Sequence, residues 1–508
     1  MATEPEFTAF ARAYESGRPQ VVYTRRVADL ETPVSAFLKL GEGRDNAFLL
    51  ESVQGGEARG RYSIIGLKPD LIWRCRDGAC EINRGARSAA DKFVPDTQAH
   101  DPIASLRALI GECRVELPAG LPPMASGLFG YLGYDMVRLI ERLPNVPPDP
   151  LGLPDAILLR PTIVAIFDTV RDEILIVTPV WPEKGVDARA AYARASERLA
   201  DTVDDLERPA PAPPPVPDDL PAFSPIDSNT THDEYLAIVS RAKEYIRAGD
   251  VFQVVPSQRF RRTFTLPPFS LYRALRRLNP SPFLYNLAFP GFSIVGSSPE
   301  ILVRLRDGVV TIRPIAGTRP RGKTAAEDKA LAEELMADPK ERAEHLMLVD
   351  LGRNDVGRVA RTGEVKVTDS FFIERYSHVM HLVSNVEGKI RDGLDAIDAL
   401  SAGLPAGTLS GAPKIRAMEI IDEFENEKRG AVYAGAVGYF AADGSMDTCI
   451  VLRTALVKDG VMYVQAGGGV VADSMPEAEY QETVSKAAAL MRAAEEAVRF
   501  ATAGKRGQ

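Results

Sequence analysis

Hydrophobic and polar positions along the chain change period often enough to separate strands from helices. Residues 47–52 (AFLLES), 61–65 (RYSII), 158–167 and 173–180 are rich in β-branched and aromatic residues bounded by turn formers, and are predicted as strands. In 127–134 (GLFGYLGY) glycine recurs every third position, which implies close backbone packing in a strand or tight turn. Further on, Thr231 and Glu234 have capping-box spacing, and Tyr235, Ile238, Ala242, Tyr245 and Ile246 form one apolar stripe that Gly249 and Asp250 end. The segment 251–256 (VFQVVP) reads as a strand, as do 293–296, 309–312, 378–386, 431–440, 448–457 and 461–465. Residues 324–350, 411–425 and 476–499 read as helices. Helices and strands follow no regular βαβ period and several strands are neighbours in sequence. That fits a layered α+β sandwich rather than a doubly wound parallel sheet.

The clearest interruption is 208–225, RPAPAPPPVPDDLPAFSP. Proline lacks a backbone donor and has a fixed φ, so this stretch is expected to be an extended, semi-rigid linker. It separates an N-terminal α/β region, 1–207, from a C-terminal region, 226–508. Composition narrows the function classes. The 61 basic and 70 acidic residues give 61 − 70 = −9, which argues against nucleic acid or an anionic membrane surface as the main partner. No run of about 18 apolar residues exists, so no transmembrane helix is expected. The N-terminus lacks the layout of a signal peptide. Cys75, Cys80, Cys113 and Cys449 lack the close pairs of a zinc site or a disulfide framework. A cytoplasmic location is expected.

Several side chains then carry candidate chemistry. Glu341 and Glu344 lie at i, i+3 on one helix face, with His345 one turn on from Glu341. Glu479, Glu482 and Lys486 repeat the spacing at i, i+3, i+7 on the last helix. Two helices with two carboxylates each offer the hard oxygens that Mg²⁺ prefers, although such pairs are also common on solvated faces. His381 shares a strand face with Val379 and Val383, where it is either a core residue or a neutral base. Gly467, Gly468 and Gly469 follow a strand and let backbone N–H groups approach an anion, or simply make a bulge. Arg453, set among apolar neighbours in CIVLRTALV, needs an anionic partner, either a protein carboxylate or a substrate.

Taken together, these segments resemble the chorismate-utilising enzymes, most closely the large-subunit family of anthranilate synthases. The resemblance runs in one order through GDVFQVVPSQRF (249–260), NPSPFLY (279–285), GSSPE (296–300), RPIAGTRPRG (313–322), KERAEHLMLVDLGRND (340–355), YSHVMHLVSNVEG (376–388), GTLSGAPKIRAMEII (407–421), DTCIVLRTALV (447–457) and QAGGGVVADSMPEAEYQET (465–483). It is looser in the N-terminal region, through LLES (49–52) and GRYSIIG (60–66). It implies an α/β/β/α sandwich of mixed, mostly antiparallel sheets. It implies Mg²⁺ held directly by Glu344 and Glu482, with Glu341 and Glu479 alongside, bridging to the ring carboxylate of chorismate. It implies that Tyr433, Arg453, Gly467 and Gly469 hold the enolpyruvyl carboxylate, that Gly468 and Lys486 belong to the same substrate site, and that Gly317 and Thr318 line the ring side with Thr408 nearby. The resemblance also implies that Glu300 is the acid for the departing C4 hydroxyl and that His381 assists the loss of pyruvate.

Two positions divide the family. Members that add water carry a lysine base where this chain has Gln253, and glutamine cannot take a proton from water. Aminodeoxychorismate synthases carry a lysine where this chain has Ala316, which cannot attack. Ammonia addition at C2 and loss of pyruvate, giving anthranilate, is the reaction implied. No cysteine sits in a Gly-x-Cys-x-Gly nucleophile turn, so the resemblance implies a separate glutamine amidotransferase subunit supplying ammonia, in a heterotetramer. It also implies L-tryptophan as a feedback inhibitor, bound by Glu51, Ser52, Pro282, Phe283, Leu284, Val437 and Tyr439, with Cys449 close by. Here Phe283 and Leu284 replace the Tyr-Met of several relatives. An aminodeoxychorismate synthase with an unusual alanine, or a non-catalytic tryptophan-binding scaffold, is the alternative.

Overall fold

The computed structural model describes residues 2–52, 60–86, 92–97, 99–211, 224–376, 379–430 and 432–503. Most of the expected linker, 212–223, therefore lies outside the described residues, as do 378 and 431, the first residues of two predicted strands.

Strands dominate the interior, and the alternation of their side chains sorts the core into layers. In the strand Ala47–Glu51, Ala47 and Leu49 face one apolar layer and Phe48 another. In Phe292–Ser298, Ile294 and Val295 divide in the same way, as do Leu456 and Val457 of Thr454–Lys458. The central layer is built almost wholly from strand residues, among them Phe48, Phe129, Tyr131, Tyr285, Ile294 and Leu456. A second layer sits between strands and the helices Ala188–Glu207, Pro268–Leu278 and Pro476–Ala503. A third sits between strands and the helices Pro102–Glu112, Pro339–Gly357 and Ala396–Gly403. Helix, sheet, sheet and helix thus stack in the α+β order expected. All the extended ladders among the described residues are antiparallel.

Among the described residues, two strand ladders join the regions on either side of the proline-rich segment. Glu51 pairs with Leu284, joining Ala47–Glu51 to Phe283–Phe289. Leu132 pairs with Ala436, joining Gly127–Leu132 to Ala436–Ala441. Glycine is required in the second junction: a Cβ on Gly127 would meet the Phe440 carbonyl oxygen at 2.2 Å.

Local signals hold where chemistry is explicit. Thr231 caps His232–Ala248 in a full capping box, and Gly249 closes that helix at φ 86°. Several predicted spans change. The helix expected over 324–350 divides into Ala325–Ala337 and Pro339–Gly357, because Asp338, ahead of Pro339, leaves the helical region at ψ 114° and caps the second helix. The strand expected over 251–256 shrinks to Gln253–Val254, paired with Gly411–Ala412, and the following helix starts only after Pro413, at Lys414. The strand expected over 431–440 starts at Ala436, since Val432 and Ala434 have positive φ. The strand expected over 448–457 breaks into Met446–Ile450 and Thr454–Lys458, and Arg453 sits in the break at φ 49° rather than in a strand. No helix among the described residues is long and apolar enough to cross a membrane. All four cysteines are buried and free.

Candidate active site

One cavity of about 780 Å³ opens between the helices Pro339–Gly357 and Pro476–Ala503 and the strand ends facing them. Its wall includes Gln253, Glu300, Gly317, Thr318, Glu341, Glu344, His381, Thr408, Tyr433, Arg453, Gly467, Gly469, Glu479, Glu482 and Lys486. Of the residues the sequence assigned to the reaction, Gly468 alone does not line it. A Cβ there would meet Glu479 Oε2 at 2.9 Å, so Gly468 gives that carboxylate room.

The carboxylates come from both helices, as their spacing predicts. Among the described residues, however, no three acidic, histidine or cysteine side chains converge into a ready-made metal cage. Glu341 is held by Arg319 at 3.0 Å, and Glu482 by Lys486 at 2.7 Å. Lys486 also donates to the Gly467 carbonyl at 2.9 Å. Glu344 titrates above the usual carboxylate range through burial, with repulsion from Glu341 and Glu482 adding to it. Glu479 is raised by burial and by Glu482, against a lowering hydrogen bond from Ser474, and its Oε2 is buried with no partner. An excess of negative charge with an orphaned oxygen suits a hard cation that takes one or two carboxylates and completes its shell with water and substrate oxygens. His345 takes no part: it is turned into the core, 2.7 Å from Ser384 Oγ.

Across the cavity stands an acid. Glu300 follows the strand Phe292–Ser298, and burial pushes its carboxyl up to about 7, opposed by Arg453, Lys486 and a 3.4 Å hydrogen bond from Thr408. Such a group still carries its proton near neutrality and can deliver it. His381 lies on the strand Val379–Lys389 with Nδ1 3.0 Å from the Gly317 carbonyl and 3.1 Å from Thr318 Oγ1. A carbonyl only accepts, so Nδ1 carries the hydrogen and Nε2 is left as an acceptor. Burial lowers this imidazole to about 4, keeping it neutral. Gly317 needs its φ of 61° to bring that carbonyl round, and a Cβ there would crowd Glu341 at 3.0 Å.

Arg453 forms no ion pair among the described residues; burial lowers it and the nearby Glu300 raises it. With burial pushing Glu300 up to about 7, this neighbour neutralises the guanidinium only in part, and an anion in the cavity can complete it. Tyr433 flanks the same corner, its hydroxyl 3.0 Å from where a Gly467 Cβ would lie. Sequence reading missed Lys340, Tyr376 and Gln465 in this wall. Lys340 could have been found beside Glu341; it reaches Asp473, in the turn ahead of Pro476–Ala503, at 3.1 Å.

A second cavity, of about 500 Å³, gathers Glu51, Ser52, Pro282, Phe283, Leu284, Val437, Tyr439 and Cys449. The Glu51 carboxylate accepts from Arg276 at 2.8 Å and from the Tyr272 hydroxyl, so it braces the wall. The cavity's charges come instead from residues the sequence did not single out, notably Arg304 and Arg306, both paired with Asp447. Pro299 and Ile315 line both cavities.

Comparison with known proteins gives the family and the fold. The family model for chorismate binding enzymes matches residues 46–492. Anthranilate synthase component 1 of Cereibacter sphaeroides is 61% identical over 497 residues, covering 97% of this chain and 98% of that protein. The same component of Pseudomonas aeruginosa is 50% identical, covering 92% and 94%. Among solved structures, anthranilate synthase component I from Streptococcus pneumoniae superposes with a TM-score of 0.73 at 37% identity, over 92% of this chain and 99% of that one. The menaquinone-specific isochorismate synthase from Escherichia coli shares the fold, with a TM-score of 0.69 at 19% identity over 95% and 99%.

Proposed function

The chain belongs to the chorismate-binding enzymes, as a large subunit of the anthranilate synthase component 1 group, and on that premise we propose that it converts chorismate and ammonia to anthranilate and pyruvate through 2-amino-2-deoxyisochorismate. The observation that carries this reading is the meeting, in one cavity, of Glu300, whose carboxyl burial pushes up to about 7, of Arg453, which has no ion pair among the described residues, and of His381, which burial holds down at about 4.

Arg453, Tyr433 and the backbone of Gly467 and Gly469 hold the enolpyruvyl carboxylate, which supplies the anion that the guanidinium lacks. Gly317 and Thr318 line the ring. Glu344 and Glu482, with Glu341 and Glu479 alongside, would hold Mg²⁺, which when bound supplies positive charge to the ring carboxylate. Ammonia forms a bond to C2, both ring double bonds shift round towards C4, the C4 hydroxyl leaves as water with the proton from Glu300, and the new ammonium gives up its extra proton to solvent. Thr408 keeps that carboxyl oriented. In the second stage a base removes the C2 proton, the electron pair enters the ring and pyruvate departs; His381 assists through its unprotonated Nε2. Gln253 and Ala316 support ammonia over water and over an enzyme nucleophile, because neither side chain can activate water or attack C2.

Ammonia comes from a separate glutamine amidotransferase subunit in a heterotetramer; the component 1 naming of the relatives supports a partner component. The second cavity takes L-tryptophan as inhibitor. These proposals place the chain in the cytoplasm, at the first committed step towards tryptophan. Purified chain, chorismate, Mg²⁺ and ammonium chloride at alkaline pH test the central reading. Fluorescent anthranilate with stoichiometric pyruvate is expected. Aminodeoxychorismate or isochorismate as product would overturn it.

A further inference from the structure

Ammonia has three N–H donors and one lone pair, and the lone pair must face the carbon it attacks. A protein can therefore hold it only through acceptors. Neutral acceptors suit the task, because a carboxylate would favour ammonium, whose lone pair is occupied. Among the described residues that line the main cavity, three buried oxygens lack a donor: Glu479 Oε2, Gln253 Oε1 and Gln465 Oε1. The first belongs to the carboxylate group, which leaves two amides.

Gln465 lies on the strand Val461–Gly467, two residues ahead of Gly467 and opposite Arg259. Its amide is fixed from behind. Nε2 donates to Ser257 Oγ at 2.8 Å, Ser257 Oγ donates to Glu425 Oε1 at 2.8 Å, and Arg429 holds both oxygens of that carboxylate. A carboxylate only accepts, so the Ser257 hydrogen is committed to Glu425 and Ser257 can offer Gln465 only a lone pair. Flipping the amide would set oxygen against oxygen. Ser257, Glu425, Arg429 and Gln465 are all buried, so water cannot rescue the wrong orientation. Gln253 meets the other end of the glycine segment, its Nε2 2.4 Å from where a Gly469 Cβ would lie.

We propose that Gln465 Oε1 is a binding acceptor for ammonia, acting with Gln253 Oε1, and that the Arg429–Glu425–Ser257 chain is the device that aims it. The proposal rests on the ammonia-dependent reading given above. Gln465 is then a residue of nucleophile binding, and Ser257 and Glu425 are positioning residues.

The test is steady-state kinetics of the full chain with chorismate, Mg²⁺ and ammonium chloride, varying each substrate in turn. Gln465→Met should raise the KM for ammonium about tenfold, the equivalent of one hydrogen bond, and move the chorismate KM by less than about twofold. Ser257→Ala leaves the amide but frees its orientation, and should raise the ammonium KM about threefold with the same silence towards chorismate. Should Gln465→Met not fold, Ser257→Ala decides. An ammonium KM within about twofold of the wild type, or a chorismate KM that rises in parallel, overturns the inference while leaving the reaction in place. A wild-type chain that makes no anthranilate at any ammonium concentration overturns both.

Discussion

Replacing Glu300 by glutamine separates the electrostatics of the acid from its chemistry. The glutamine keeps the shape of the protonated carboxyl but cannot ionise. In the wild type, burial holds this carboxyl at about 7 against an ordinary 4.5, with Arg453, Lys486 and Thr408 opposing the rise. Between those two values the unfolded chain releases the proton and the folded chain keeps it. The folded state therefore loses stability as pH rises through that window, and the loss is complete above it. The difference converts to roughly 3 kcal/mol, and to about 2–3 kcal/mol once the partial exposure of the carboxyl to the cavity is allowed for. An unfolding entropy of about 2.1 cal/mol/K per residue over this length makes that a shift of about 2–3 °C. Scanning calorimetry of wild type and Glu300→Gln at about pH 5 and about pH 8 reads it directly. The variant should melt close to the wild type at the lower pH and about 2–3 °C above it at the higher, while its turnover falls by about 10²–10⁴-fold. An equal difference at both pH values would refute the reasoning: the carboxyl would then not be held protonated, and the acid would have to be sought elsewhere.

Other substitutions test other parts of the site. Glu344→Ala and Glu482→Ala should each abolish Mg²⁺-dependent turnover with circular dichroism unchanged; full activity in either would remove the metal assignment. His381→Ala should slow pyruvate release more than amination, so that 2-amino-2-deoxyisochorismate accumulates on chromatography, and an unchanged product ratio would exclude that role. Arg429→Met strands the buried Glu425 carboxylate and the carbonyls of Leu409 and Val255. It should cost about 3–5 kcal/mol in urea unfolding, partly restored by adding Glu425→Gln; a loss below about 1 kcal/mol would contradict the network. Millimolar tryptophan should suppress anthranilate formation, and Tyr439→Ala should weaken that suppression; insensitivity of the wild type would end the inhibitor assignment.

Much of the site was legible because its residues advertise themselves by spacing. Glu341, Glu344, Glu479 and Glu482 could be placed on helix faces from period alone, and the capping box at Thr231 fixed a helix start. Arg453 shows the limit. Its apolar neighbours read as a continuous strand, whereas the backbone turns over at φ 49° and lifts the guanidinium out of the ladder. Gln465 was invisible for a different reason. A glutamine in a strand carries no signal by itself; its meaning comes from Ser257 and Glu425, which are distant in sequence and meet it only after the sheet forms. The partners of Glu51 are likewise non-local, since Tyr272 and Arg276 lie on a helix far along the chain. Local grammar reveals where a helix begins, but not which side chain closes a circuit with which.

The ladders that cross the proline-rich segment also set the order of folding. Strand Ala47–Glu51 leaves the ribosome early, yet one of its edges stays bare until residues 284–288 arrive, and Gly127–Leu132 waits longer still for Ala436–Ala441. Such pairings give a high contact order, so the nascent chain passes a long interval with apolar strand edges unprotected. Slow, chaperone-sensitive folding, with truncated chains prone to aggregate, is the consequence of building one core from the two ends of the message.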